Sequence, residues 1–482
     1  MIQVIINKAQ YEYDIHSLVK AFYPNEDVKI KMTEMSEDNP VTLEIEYLEN
    51  EIIFTWNESG KQPIRESTEV NYEDKPETKN RLKRLLYESF VKVTGRELPW
   101  GDLTGIRPTK IPMTMLMNGQ SEEAIKSYMK ETYHVSEEKA SLSIEIAKRE
   151  KEILTPIHYD KGYSLYIGIP FCPTTCLYCS FTSYPIVSWE KRVGEYLDAL
   201  EKEMEFTKEI YKDRILDTVY IGGGTPTTLS SEQMDRLLSS VERIFDVSNC
   251  KEFTVEAGRP DSITLEKLEV MKQHRVTRIS INPQTMKEET LKIIGRRHTV
   301  EQTLEAYQMA RTVGFSNINM DLIMGLPGET LEDIMHTLEV IKELKPDSLT
   351  VHSLALKRAS GLNKWMEDHG RDSINNTPEM MKLTEKYARE MGLLPYYLYR
   401  QKNMAGNFEN IGYAQEGKFG IYNILIMEEK QSIAAVGAGT ISKVVKPTGQ
   451  IERVDNVKDV ALYLERFDEM IQKKRNFYQL YQ

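Results

Sequence analysis

Short apolar runs alternate with longer amphipathic stretches through the middle of the chain, from Tyr163 to about Gly392. The short runs predict strands, namely Tyr163–Gly168, Asp217–Ile221, Glu252–Glu256, Thr277–Ile281, Ile318–Ile323 and Ser348–Ser353. The stretches between them predict helices, namely Glu190–Lys212, Ser231–Ile244, Leu265–His274, Val300–Val313 and Leu331–Leu344. This alternation indicates right-handed βαβ units and a parallel sheet, in which chemistry collects at the carboxyl ends of the strands.

The N-terminal part has a different, mixed pattern. Ile2–Asn7 and Val28–Met32 are predicted strands, and Thr42–Trp56 alternates like a hairpin. The polar, proline-bearing segment Glu58–Glu77 is predicted to be a loop. Helical spacing follows in Thr78–Thr94 and returns between residues 112 and 154. This part of the chain is therefore predicted to be α+β.

The C-terminal part is also mixed, with a glycine-rich segment at residues 436–440 and a predicted helix around Asp459–Lys473. Three domains are predicted from these changes of pattern. They are an α+β N-terminal domain at residues 1–155, a core at residues 160–394, and a C-terminal region at residues 395–482 that covers the mouth of the core.

Composition excludes several classes of protein. The 482 residues are 40% hydrophobic and 28% charged, close to globular averages, so global disorder is excluded. No apolar run approaches the ~20 residues of a membrane span. The formal net charge of −12 argues against nucleic-acid binding. The first residues lack a signal-peptide pattern, so a reducing, cytoplasmic location is expected.

Cysteine spacing carries the strongest chemical signal. Cys172, Cys176 and Cys179 crowd into one short loop after the first core strand, and Cys250 stands apart. Three thiolates on a tight loop can hold three irons of a [4Fe–4S] cluster and leave the fourth iron open to another ligand. A structural zinc site is the alternative, but zinc prefers four tetrahedral ligands and no second cysteine pair is present.

Two further features fall at strand ends. Gly222-Gly223-Gly224-Thr225 follows the second core strand, where glycine lets the backbone approach a ligand; a tight structural turn is the alternative interpretation. Glu256 and Asp321 place carboxylates in otherwise apolar strands, so each needs a partner. That partner is either an internal Arg or Lys, or the hydroxyl groups of a bound cofactor.

These motifs resemble the radical S-adenosylmethionine (SAM) superfamily. Six sequence segments resemble those of the oxygen-independent coproporphyrinogen III oxidases and their heme-chaperone relatives, namely LYIGIPFC, YIGGGTPT, VEAGRP, SINPQT, MDLIMGLPGET and GAGTIS. The N-terminal extension with WGDLTGIRPTK resembles the HemZ branch of that family. The resemblance implies an α/β fold with a partial (β/α)6 barrel, similar to a TIM barrel, between the N-terminal domain and the C-terminal region.

The resemblance also implies cofactors, site residues and partners. Cys172, Cys176 and Cys179 would hold the [4Fe–4S] cluster. The implied SAM contacts are Tyr166, Tyr178, Gly223, Gly224, Thr225, Glu256, Gln284, Arg296, Asp321, Ala355 and Ile441. The implied substrate is a tetrapyrrole, coproporphyrinogen III or heme, and the implied electron donor resembles a flavodoxin or a ferredoxin. No residue is assigned a catalytic role beyond these contacts.

Two departures from the family pattern keep alternatives open. The oxidases carry a fourth cysteine just after the triplet, where this chain has Ser180 and Phe181. The segment Pro395–Arg400 is aromatic and basic, which suits either a tetrapyrrole surface or domain packing. The expected activity is oxidative decarboxylation of coproporphyrinogen III. A heme-delivery protein and a tetrapyrrole-modifying methyltransferase are the alternatives.

Overall fold

The computed structural model describes residues 1–24, 26–32, 41–357, 360–370, 373–401 and 404–481. Its Cα atoms group into two compact units. One comprises Met1–Lys148, Met366–Asn376 and Leu398–Glu409, and the other comprises Arg149–Trp365, Thr377–Tyr397 and Asn410–Gln482. The three-domain division stays a prediction, because proximity in space does not show which segments fold independently.

The first unit contains a sheet with the strand order β2-β1-β3-β4-β5. Its strands are β1 (Ile2–Ile6), β2 (Val28–Lys31), β3 (Val41–Tyr47), β4 (Glu51–Glu58) and β5 (Ile64–Glu69). Strand β1 runs parallel to both neighbours, whereas β3, β4 and β5 form an antiparallel meander. One hydrophobic core joins this sheet to helices α1 (Glu12–Phe22) and α2 (Lys75–Thr94).

Two elements of this unit differ from the sequence prediction. Strand β5 lies inside the segment Glu58–Glu77 that was expected to be a loop. It is an edge strand with alternating half-buried and exposed positions, and charged residues at such an edge are normal. Helix α1 was not predicted, although Ile15, Leu18 and Val19 give it an apolar stripe. The helices α3 (Lys110–Met117), α4 (Glu122–Tyr133) and α5 (Glu137–Ile153) confirm the helical prediction that follows.

The second unit is built around a large, mostly parallel sheet. Its strands are β6 (Gly162–Ile169), β9 (Ile215–Gly223), β10 (Glu252–Gly258), β11 (Arg278–Ile281), β12 (Ile318–Met324), β13 (Ser348–Ser353), β14 (Leu394–Tyr399), β15 (Asn410–Ala414), β16 (Ser432–Val436), β17 (Ile441–Val445) and β18 (Ile451–Asp455). The order across the described sheet is β14-β15-β13-β12-β11-β10-β9-β6-β16-β17-β18. A separate pair joins β7 (Phe171–Cys172) to β8 (Tyr184–Pro185).

The six predicted core strands are all present, adjacent and parallel, in the order in which they occur along the chain. The α/β fold with a parallel-rich sheet is therefore confirmed. The C-terminal residues extend it, because β16 adds a further parallel strand beside β6. Strands β17 and β18 continue the sheet in the antiparallel sense.

Five helices between the core strands match the predicted ones: α6 (Val193–Ile210), α7 (Ser231–Ile244), α8 (Leu265–Gln273), α10 (Val300–Val313) and α11 (Leu331–Leu344). Four further helices were not predicted: α9 (Glu288–Ile293), α12 (Leu362–His369), α13 (Pro378–Glu390) and α14 (Ile421–Glu428). The chain continues after β18 with α15 (Val460–Glu465) and α16 (Phe467–Tyr481). Capping boxes fix the starts of α7, α10 and α11. The predicted helix at Asp459–Lys473 is in fact the two helices α15 and α16. Among the described helices, none combines the length and apolarity that a membrane crossing requires.

Candidate functional site

The three clustered cysteines lie on the loop that leaves strand β6. Cys172 ends β7, and the backbone N–H of Cys179 donates to the carbonyl of Cys176 at 3.1 Å. All three thiols are free and partly buried. Burial raises the pKa of the Cys172 thiol, and a hydrogen bond from Thr225 opposes that rise. The structure thus holds the three predicted cluster ligands on one short loop.

The glycine-rich strand end is bonded directly to this loop. Gly224 N–H donates to the carbonyl of Ile169, and Thr225 N–H to the carbonyl of Phe171, both at 2.7 Å. The Thr225 hydroxyl lies 3.5 Å from the sulfur of Cys172. A Cβ at Gly224 would come within 2.5 Å of the Phe171 carbonyl, so only glycine permits this approach. The segment therefore has a packing role in addition to any contact with a cofactor.

Glu256 projects from β10 toward the same strand end. Its carboxylate accepts a hydrogen bond from the Tyr220 hydroxyl at 2.5 Å. A Cβ at Gly222 would lie 2.7 Å from the carboxylate oxygen of Glu256. Burial raises the pKa of Glu256 to about 7; Asp321 adds to the rise, while hydrogen bonds from Tyr220 and Gly223 oppose it. A carboxylate with such a pKa shift is typical of a functional site.

Asp321 sits across the sheet in strand β12. Its carboxylate accepts from the Asn319 amide at 2.7 Å and lies 3.8 Å from Nε2 of His352. Burial alone would raise the pKa of Asp321, but His352, Asn319 and Thr350 together hold it below its ordinary value. The backbone of Asp321 accepts from Gln284 N–H at 3.0 Å. Thr254 pairs with Arg278 across β10 and β11, and Ser280 pairs with Asn319 across β11 and β12. Because alternate residues of a strand share a face, this register puts Glu256 and Asp321 on one face of the sheet, here called the inner face.

Gln284 and Arg296 are buried but incompletely hydrogen-bonded. Each residue is 7% exposed, and Oε1 of Gln284 and Nε of Arg296 have no hydrogen-bond partner among the described residues. Gln284 adopts a positive φ of 68°, a conformation uncommon outside glycine. Arg296 lies beside the Tyr178 hydroxyl and the Cys176 thiol. Buried polar atoms without partners indicate a place where a ligand completes the hydrogen bonding.

The remaining predicted contacts are placed less uniformly. Tyr166 is in β6, and its ring stacks with Tyr220 and Tyr422, with both ring centroids at 6.1 Å. Ala355 follows β13, and Ile441 begins β17 with 48% of its side chain exposed. Among the described residues, no hydrogen bond or ring contact joins Ala355 or Ile441 to the cysteine loop or the inner face. Hydrogen bonds or close contacts among the described residues thus link most of the predicted residues, and no such link is seen for these two.

Several polar residues of the inner face were missed from the sequence. Tyr220 lies two residues before Gly222, Asn319 lies two before Asp321, and His352 lies on the neighbouring strand β13. Alternate residues of a strand share a face, so Tyr220 and Asn319 could have been found from their predicted strands. His352 carried no such signal, because its strand was not linked to the site.

The side chains suit a [4Fe–4S] cluster with SAM. Thiolates are the ligands that such clusters require, and each binds a different iron. Within the described ranges, no three or more His, Cys, Asp or Glu side chains converge closely enough to hold a single metal ion. The Gln284 oxygen without a described partner can accept a hydrogen bond from a ligand, and the buried Arg296 guanidinium can donate to a carboxylate. The residues present therefore fit both groups.

Comparison with known proteins agrees with this geometry. Residues 166–341 match the model of the Radical SAM superfamily. The oxygen-independent coproporphyrinogen-III oxidase-like protein HemZ of Bacillus subtilis is 45% identical over 406 residues, covering 83% of this chain and 80% of HemZ. The heme chaperone HemW of Bacillus subtilis is 41% identical over 195 residues, or 40% of this chain and about half (51%) of HemW.

A solved structure agrees at the level of the fold. Coproporphyrinogen III oxidase (HemN) from Escherichia coli superposes with a TM-score of 0.53 at 22% sequence identity, covering 67% of this chain and 72% of HemN. The likeness to HemN shows a shared fold, and the HemZ match over most of both chains shows the family. The chain therefore belongs to the radical SAM superfamily, and within it to the family of oxygen-independent coproporphyrinogen-III oxidase-like proteins that includes HemZ.

Proposed function

We propose that this protein is a radical SAM oxidoreductase that converts propionate side chains of coproporphyrinogen III to vinyl groups. The observation that supports this most is the bonding of the three-cysteine loop to the glycine-rich strand end, with Glu256 next to it. That arrangement would place an iron–sulfur cluster beside a pocket with donors and acceptors for SAM. The name of the HemZ relative and the family's oxidases point to the tetrapyrrole substrate.

In this proposal the chain's residues bind and orient the cofactors. Cys172, Cys176 and Cys179 hold the cluster. When bound, the reduced cluster and SAM supply a 5′-deoxyadenosyl radical that abstracts hydrogen. The predicted SAM contacts divide by chemistry: Thr225 and its glycines take the amino group, Arg296 the carboxylate, and the inner-face carboxylates the ribose hydroxyls.

The reaction balances as an oxidation. Each propionate would lose one hydrogen atom from its β-carbon, one electron to an acceptor, and its carboxylate as carbon dioxide, which leaves a vinyl group. The electron that starts each cycle would come from a flavodoxin- or ferredoxin-like protein. The residues around the inner face would exclude water while the radical exists.

Anaerobic incubation tests the proposal directly. Protein reconstituted with iron and sulfide would be mixed with SAM, a reductant and coproporphyrinogen III, and the tetrapyrroles analysed by mass spectrometry. We expect products that have lost carbon dioxide and a pair of hydrogens per propionate, with 5′-deoxyadenosine formed in step. The Cys176→Ala variant is the control, because it lacks a proposed cluster ligand. Unchanged substrate beside active SAM cleavage would contradict the proposed reaction.

A heme-delivery role is the second candidate. It is favoured by the similarity to HemW and by Phe181, which stands where the oxidases carry their fourth cysteine. Titration of the same reconstituted protein with heme separates the two candidates. Tight, stoichiometric heme binding together with absent vinyl formation would favour delivery, and SAM-methyl label recovered in the tetrapyrrole would point to a methyltransferase.

A further inference from the structure

A cavity of about 510 Å³ lies between the cysteine loop and residues 288–299. Its wall includes Thr174 and Thr175, which lie between Cys172 and Cys176 in the sequence. Of the predicted SAM contacts, Arg296 alone lines it, and neither the glycine-rich strand end nor the carboxylates of the inner face do. We call it the outer cavity, because its lining is otherwise separate from the proposed SAM site.

The wall of the outer cavity is firmly tied to the cysteine loop. The hydroxyl of Thr174 donates to the carbonyl of Gly295 at 2.9 Å, and Leu177 N–H donates to the carbonyl of Ile294 at the same distance. A Cβ at Gly295 would come within 3.3 Å of the Thr175 carbonyl, so the two segments are in close contact. A molecule seated in this cavity would touch the backbone that carries the cluster ligands.

The rim of the outer cavity is cationic, although the chain as a whole is formally −12. Lys292 and Arg297 line the cavity and are exposed, and neither forms an ion pair with a described residue. Glu288 is the acidic residue of the lining, and its carboxylate accepts a hydrogen bond from Val300 N–H at 2.7 Å. Ile293, which follows Lys292 in the sequence, is 39% exposed. Unpaired cations around an exposed apolar residue are typical of a surface that binds an acidic partner.

We propose that the outer cavity and its rim are the docking surface for the protein that reduces the cluster. The partner would be a small acidic protein with a flavin or an iron–sulfur centre, and its acidic side chains would pair with Lys292 and Arg297. It would give up one electron and the group held by the cysteine loop would gain one, with no other reactant. This inference rests on the proposed radical SAM function, since it assigns the route by which the electron arrives.

Charge reversal tests the docking surface. The probe is a purified, oxidised bacterial flavodoxin, and the measurement is its affinity for the full reconstituted chain by calorimetry. We expect Lys292→Glu combined with Arg297→Glu to weaken binding at least about tenfold at low salt, and added salt to weaken wild-type binding. The matched control is Lys251→Glu, which reverses an exposed cation without a described ion pair at the amino end of β10. Equal affinity in the double variant and wild type would overturn the proposal.

A kinetic comparison separates docking from the chemistry of the site. Formation of 5′-deoxyadenosine from SAM would be measured without any tetrapyrrole, first with reduced flavodoxin and then with dithionite, which needs no docking surface. The double variant should show a raised KM for flavodoxin, with the dithionite-driven rate and iron content unchanged. An equal loss of the SAM-cleavage rate in the double variant when dithionite is the reductant would overturn the docking proposal. So would failure of the wild-type protein to bind either a flavodoxin or a ferredoxin. If only coproporphyrinogen turnover fails, the proposed reaction is contradicted, but the evidence for the docking surface is unaffected.

Discussion

The hydroxyl of Tyr220 donates a hydrogen bond to the carboxylate of Glu256, on the face where Asp321 also projects. Two neighbouring carboxylates repel each other when both are ionised, and burial adds to the cost of charging Glu256. The Tyr220 hydrogen bond offsets part of that cost. The net result is the pKa of about 7 for Glu256, well above its ordinary value of 4.5.

This relationship predicts a pH-dependent stability effect of Glu256→Gln in the protein without cofactors. The pKa of Glu256 is higher in the folded than in the unfolded state, so the folded state binds the proton more tightly. The free energy of unfolding of the wild type therefore falls as pH rises from about 4.5 to 7. The neutral amide avoids this loss. We expect the variant to be more stable by about 1–3 kcal/mol at pH 8, with the difference vanishing near pH 4. Urea unfolding at both pH values measures it, and equal stability at pH 8 would contradict it.

The cysteine loop gives a prediction about iron content. Reconstituted wild type should hold about four irons per chain. Replacing Cys172, Cys176 or Cys179 by Ala should remove the bound iron, because three thiolates are the fewest that anchor the cluster. Cys250→Ala is the control: its thiol lies 3.0 Å from the Glu252 carbonyl, and burial raises its pKa to about 12. Loss of iron in the Cys250 variant would show that a ligand has been missed.

Asp321 and His352 predict how SAM affinity depends on pH. Asp321→Asn should weaken SAM binding by about 1–3 kcal/mol, because ribose hydroxyls would lose a charged acceptor. His352 helps to hold the pKa of Asp321 below its ordinary value, and a carboxylate acceptor is lost as pH falls through its pKa. His352→Leu should therefore move the acidic limit of SAM binding to higher pH. Equilibrium dialysis of the reconstituted variants measures both effects, with iron content as the control.

A buried ion pair fixes the C-terminal helix α16 to helix α6. The Glu203 carboxylate accepts from Lys474 Nζ and the Tyr463 hydroxyl, both at 2.7 Å, and from Gly437 N–H at 2.8 Å. Lys474→Met leaves a buried, uncompensated carboxylate and should cost about 3–5 kcal/mol of unfolding free energy. Urea unfolding tests this, with Arg466→Ala at the exposed pair with Glu469 as a control of little effect. Adding Glu203→Gln to Lys474→Met should recover part of the loss.

The parallel core was predictable because each of its elements carries a local signal. Strands such as β10 and β12 are apolar runs, and helices such as α7 and α10 start at capping boxes. Strand β5 was not predictable in this way, because five of its six residues are polar and only its pairing with β4 makes it a strand. Local patterns identify buried elements and miss those that pairing alone creates.

The site was predictable as far as its residues lie in motifs. The cysteine triplet and the glycine-rich segment are contiguous in sequence, whereas Tyr220, Asn319 and His352 come from three strands and meet only after folding. For Arg400, the sequence left two roles open. Its aromatic and basic surroundings suggested either a tetrapyrrole surface or packing, and the structure favours packing.

Arg400 is 5% exposed and bonds within the first unit. It donates to the carbonyls of Leu103 and Asn407, and its guanidinium lies 5.7 Å from the ring centroid of Trp100. Its burial and these bonds tie the guanidinium of Arg400 to packing within the first unit. Residues 402 and 403 of the same segment lie outside the described residues. The composition of this segment could not distinguish a tetrapyrrole surface from packing, because the burial of Arg400 decides between them and is known only from the structure.

The last prediction concerns Phe181, two residues beyond Cys179 and 75% exposed. A phenyl ring can cover a cofactor, but it cannot donate a proton or an electron pair as a thiol can. If decarboxylation requires that thiol, this protein will cleave SAM but turn coproporphyrinogen over poorly, and Phe181→Cys will raise vinyl formation without changing iron content. Phe181→Ser is the matched control, because it removes the ring without supplying a thiol. Efficient vinyl formation by the wild type would contradict this expectation. It would show that decarboxylation proceeds with the Phe181 ring in place, so that the family's fourth cysteine is dispensable in this protein.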